Sequence, residues 1–178
     1  MSETIAAEYD VLLSTIADEL KKSPRYVLEL DNAKAGQVMK AVMGKALQAA
    51  KDAGVEATVM KSSVNIANKR GEVKGQIFVN HPLLKDNISI ECSLGNVVKD
   101  KQETLGLDKL KVSAGSFAGK IALGTLGVEN TVKAVLENPV KALGDALSPE
   151  LKSKGVLLSG VGAKFTDRNT LQVTLVRK

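Results

Sequence analysis

A chain of 178 residues with 44% hydrophobic residues suffices for one substantial core, and with three Phe, two Tyr and no Trp that core must be aliphatic. One cysteine, Cys92, excludes an intrachain disulfide and a multi-thiolate zinc cluster, and no run nears the roughly 20 apolar residues that cross a bilayer. The formal charge of +5 is unevenly spread: residues 1–31 hold three basic and seven acidic groups, net −4, and residues 32–178 hold 22 and 13, net +9.

In chain order, residues 1–22 read as an acidic amphipathic helix. Ile5, Tyr9, Leu12, Leu13, Ile16 and Leu20 form its stripe, Lys21 and Lys22 suit its C-terminal dipole, and Ser23-Pro24 ends it. Tyr26 to Leu30 reads as a strand, after which Asp31 or Asn32 caps a helix expected from Ala33 to Ala53, closed by Gly54. Three alternating runs follow as half-buried strands: Val55–Met60, Val73–Val79 and Ile88–Leu94, the last placing Cys92 in the core. Asn68-Lys69-Arg70-Gly71 is expected to be one turn, and His81-Pro82 to Asp86-Asn87 a second connection.

From Val97 through Gly127 the alternation fades among five glycines, so an irregular connection is expected there, with Lys109–Val112 at most a short strand. Helical spacing returns at Val128. Asn138-Pro139 predicts a break and restart, Ser148-Pro149-Glu150 another, and Gly155 the end of the helical region. Val156–Phe165 and Leu171–Val176, flanking the polar Thr166–Thr170, predict a terminal β-hairpin. The whole reads as a single α+β domain over residues 1–178, a mostly antiparallel or mixed sheet covered by amphipathic helices.

No catalytic constellation stands out, so a protein that is not an enzyme and holds no cofactor or metal is expected. Ala114-Gly115-Ser116-Phe117-Ala118-Gly119-Lys120-Ile121 approaches a phosphate-binding loop, but it lacks the opening glycine and the hydroxyl after the lysine. His81, the sole histidine, has no neighbouring partner that would make a nucleophile or metal site with Cys92. The basic residues carry the stronger signal. Lys61, Lys69, Arg70 and Lys74 surround a hairpin connection, Lys34 and Lys45 share a helix face, and Arg168 and Arg177 add charge at the terminal hairpin.

These residues point to DNA or RNA held through its phosphates, with salt-dependent and shape-led affinity. The alternative is a homo-oligomeric structural or regulatory module without nucleic-acid binding, in which the acidic helix engages the basic body of another copy or β edges pair between copies. The acidic opening, Met1 to Asp10, lacks a secretory pattern, so the cytoplasm is the expected location, without membrane insertion.

Overall fold

A computed structural model describes residues 3–38, 56–81, 84–126, 133 and 137–178. Helix α1 spans Glu3–Lys22, strand β1 Arg25–Leu30, helix α2 residues 32–38, and β2 Glu56–Ala67. There follow β3 (Arg70–His81), β4 (Leu84–Lys99), β5 (Gln102–Ala114), α3 (Phe117–Leu126), α4 (Pro139–Ser153), β6 (Leu158–Phe165) and β7 (Leu171–Arg177). The expected single sheet is two: a three-stranded sheet ordered β1-β7-β6 and a four-stranded meander ordered β2-β3-β4-β5, every pair antiparallel. The architecture is α+β and mostly strand.

Local chemistry explains the boundaries. Asp31, rather than Asn32, caps α2, its carboxylate accepting from Lys34 N at 2.9 Å. Asn138 caps α4 through Lys141 N, with Pro139 at the first helical position, where its missing N–H costs nothing. The expected break at Ser148-Pro149 does not occur: α4 runs through to Ser153. Pro149 lies on the exposed side of the helix, while Leu147 and Leu151 anchor it in the core. At its end Gly155 adopts φ +81°, Gly155 N donates to Lys152 O and Val156 N to Leu151 O, the paired bonds of a Schellman cap with Leu151 and Val156 both buried.

The turns are tighter than the sequence suggests. Asn68 and Lys69 alone, both at positive φ, join β2 to β3, and Asp100 and Lys101 join β4 to β5 in the same way. Two left-handed residues give the twist that flanking antiparallel strands require. Arg70 and Gly71 therefore belong to β3, and Asp86 and Asn87 to β4, whereas Pro82 lies outside the described residues. The terminal hairpin forms as expected around Thr166–Thr170, where Thr166 N donates to Thr170 O.

The largest correction concerns residues 97–99 and 102–114, which form strand instead of an irregular connection. Two bulges hid the long strands. Met60 is the extra residue of β2, so inward positions pass from Val59 to Ser62, Val64 and Ile66. Asp108 does the same in β5, where Leu105 and Leu107 give way to Leu110, Val112 and Ala114. A bulge reverses the alternation on which a strand is read.

The main core joins Tyr9, Leu13, Ile16 and Leu20 of α1 to Leu30, Leu147, Leu151, Val173 and Leu175, and reaches Ile66, Leu94 and Leu105 of the larger sheet. A smaller cluster, Val79, Ile88 and Ala114, lies at the other end of that sheet. Asparagine side chains, and not strand pairing, tie the larger sheet to the smaller sheet and to α2. Asn96 exchanges two bonds with the Phe165 backbone, at 2.8 and 2.9 Å, Asn32 accepts from Ile66 N at 2.6 Å, and Asn169 accepts from Asn68 N at 2.9 Å. Phe165 packs on Gly71 so closely that a Cβ there would strike the ring.

Candidate functional site

Antiparallel register sorts the meander into two faces. The inward face is largely apolar, with Val73, Val79, Ile88, Cys92 and Leu94 buried. The outward face is largely polar. Across the strands run the rows Lys61, Gln76, Ser89, Ser113; then Ser63, Lys74, Glu91, Lys111; then Asn65, Glu72, Ser93, Lys109. Lys61, Lys74, Lys109 and Lys111 are exposed, and none forms an ion pair among the described residues. Glu91 lies between Lys74 and Lys111, and Phe78 stands on the same face between Thr58 and Asn87.

The eight basic residues singled out in the sequence separate under this geometry. Lys61, Arg70 and Lys74 share the outward face. Arg70 is paired with Asp108 at 3.4 Å, and Lys69 with Asp167 at 2.7 Å, which brings the β2–β3 turn against the terminal hairpin turn that also carries the exposed Arg168. The hydrogen bond between them, and then each partner's opposite charge, raise the Lys69 pKa and hold the Asp167 carboxyl below its usual range. Lys34 sits on α2, beside the β2 edge where Asn32 meets Ile66. Arg177 instead donates to the Lys21 carbonyl at 3.1 Å, serving the C-terminus of α1. Lys45 lies outside the described residues.

No protein-family model matches the chain, and no curated protein is similar to it. What the residues can do therefore rests on their geometry. The phosphate-loop-like segment is occupied from within: Asp86, buried at 9% exposure, accepts from Ser116 N at 2.8 Å, from Ser116 Oγ at 2.7 Å and from Asn87 N at 2.7 Å. Ser116 in turn caps α3 through Gly119 N at 2.9 Å. A Cβ at Gly119 would overlap the Asp86 carboxylate, so the glycines of this segment make room for an internal anion in place of a phosphate. The Ser116 hydroxyl and amide, opposed by some desolvation, hold the Asp86 carboxyl below its ordinary range.

Other candidates are structural. Burial pushes the Cys92 thiol up to about 11, the pattern of an inert core thiol. His81 closes β3 opposite Leu84, and the described residues contain no cluster of three or more metal-ligating side chains. A wholly apolar cavity of about 10 Å³ beneath α1, bordered by Tyr9, Leu13, Leu28 and Leu147, has room for no more than one water. Desolvation, and then Glu150, raise the pKa of the Tyr9 hydroxyl, which has no hydrogen-bond partner among the described residues, to about 12. Lys85, Lys109, Lys111 and Phe78 lie on the outward face and are absent from the sequence-based set. For the last three the signal was the Lys-Leu-Lys-Val alternation and the position of Phe78 between Ile77 and Val79.

Proposed function

We propose that this is a non-catalytic, nucleic-acid-associated protein of the cytoplasm, which holds a phosphate backbone on the outward face of its four-stranded sheet. The observation that carries the reading is the set Lys61, Lys74, Lys109 and Lys111, exposed on one face with no carboxylate bound to any of them among the described residues. Ammonium groups not engaged by the protein are available to replace the counterions of a polyanion. Serine, asparagine and glutamine between them supply neutral donors to phosphate and sugar oxygens. The reading takes the helices to lie on the inner sides of the two sheets, leaving this face to solvent. Among the described residues no helix is long and apolar enough to cross a membrane.

The test is purification at low and at high salt, followed by size and absorbance measurement and by titration with labelled nucleic acid. Co-purifying nucleic acid lost at high salt is the expected result. Lys→Gln at all four positions should flatten the dependence of affinity on salt by about 0.7–0.9 in log–log slope for each phosphate contact removed. Absence of binding at low salt would refute the reading.

Self-association is the second reading, and one observation favours it: Phe117, at the start of α3, is 79% exposed. A salt-sensitive change in size without nucleic acid would support it. The acidic helix is not its natural docking element, since Asp10 already pairs with Lys154 at 2.8 Å and Glu8 accepts from Gln37 at 2.5 Å within the chain.

A further inference from the structure

Building on the phosphate-binding reading, we infer that the nucleic acid is single-stranded and that Phe78 is the platform on which one of its bases stacks. Phe78 lies on the outward face, opposite Thr58 on one side and Asn87 on the other. Its diagonal neighbours, at roughly 7–8 Å, are the exposed lysines Lys61 and Lys85, Ser89, and Glu56, whose carboxylate accepts from the Asn80 amide at 3.0 Å. An aromatic ring half-buried in the sheet, with a lysine on each neighbouring strand, offers a base its π-face and the flanking phosphates their counter-charge.

The width of the face decides against entry into the major groove of a duplex. Four strands about 4.8 Å apart span about 14 Å before side chains are added, whereas the major groove of B-DNA is about 12 Å wide and admits a helix or a two-stranded ribbon. A splayed single strand meets no such limit, because its unstacked bases turn toward the sheet while its backbone crosses the lysine rows. Phe78 is the only aromatic residue of the outward face among the described residues, so one stacked base is expected.

The experiment uses the full chain, oligo(dT) and oligo(U), and a blunt duplex of the same length, at low salt. Because the chain contains no tryptophan, Phe78→Trp introduces a single indole reporter at the stacking position. Expected are tighter binding of the single strands than of the duplex, quenching of the indole emission of the Phe78→Trp variant on adding single strand, and a loss of about 5- to 150-fold in single-strand affinity for Phe78→Ala. Should Phe78→Ala fail to fold, the Phe78→Trp titration decides alone. Equal affinity for single strand and duplex, with indole emission unmoved, overturns the stacking inference and leaves the phosphate reading standing. Binding of neither overturns both.

Discussion

The two sheets divide the tasks of the molecule. Of the nine largest fully buried side chains among the described residues, Leu13, Ile16, Leu20, Leu30, Leu151, Val156, Val173 and Leu175 belong to the smaller sheet and its flanking elements, and Ile88 alone to the larger sheet. The three-stranded sheet is thus part of a dense aliphatic core. The four-stranded sheet extends well past that core, carrying a polar face along its length. Burial sustains the first region, and backbone pairing with a small second cluster sustains much of the other. A surface free of packing duties is where residues can be chosen for contact.

Truncation provides the sharpest break of this contrast. Leu175→Ala deletes a side chain with no exposure at the centre of the main core, so its cost should fall near the upper end of about 2–5 kcal/mol. Ile88→Ala, within a cluster of three buried residues, should fall near the lower end. Urea denaturation monitored by circular dichroism measures both, and equal costs would show that the two regions share the burden of stability.

Asp86 probes the far end of the larger sheet. Its native pKa is lowered from an ordinary value of 3.8, chiefly by the Ser116 hydroxyl, so its stabilising effect is complete above that value and is lost as pH falls through the native one. Asp86→Asn should cost about 1–3 kcal/mol at neutral pH, because charge-assisted bonds to Ser116 and Asn87 go. The gap between variant and wild type should narrow below about pH 4. A constant gap across that range in pH-dependent denaturation would mean that charge at Asp86 does not hold α3 to β4.

The same contrast explains what could be read from the residues alone. Elements of the smaller sheet and its helices announce themselves locally: the stripe of α1, Asn138-Pro139, Gly155 and the Thr166–Thr170 turn each act through near neighbours in sequence. The larger sheet was legible only as far as its alternation held phase. Val55–Met60 stopped short because Met60 is a bulge, and residues 97–114 looked irregular because Asp108 is another. For the candidate face, the sequence singled out Lys61, Arg70 and Lys74, but the carboxylates that engage Arg70 and Lys69 come from β5 and the terminal hairpin, far along the chain. Lys109 and Lys111 were obscured with their strand. The Ser148-Pro149 misreading has a different cause, since tertiary burial of Leu147 and Leu151 outweighs a local preference for a break.

The smallest change in stability should accompany the most informative change in binding. Glu91 is exposed, forms no ion pair among the described residues, and lies in register between Lys74 and Lys111. Its substitution by glutamine should therefore leave unfolding within about 0.5 kcal/mol of wild type. If the outward face holds phosphate, Glu91 is the carboxylate nearest its lysine row, and it repels the ligand while attracting both flanking ammonium groups. Glu91→Gln should then tighten nucleic-acid binding severalfold at low salt, an advantage that shrinks as salt screens exposed charges. Fluorescence anisotropy across a salt series reads both effects. Unchanged affinity would place the ligand elsewhere than this face, whereas tightening at low salt alone would locate it between β3 and β5, where the elimination of one negative charge is felt by two lysines.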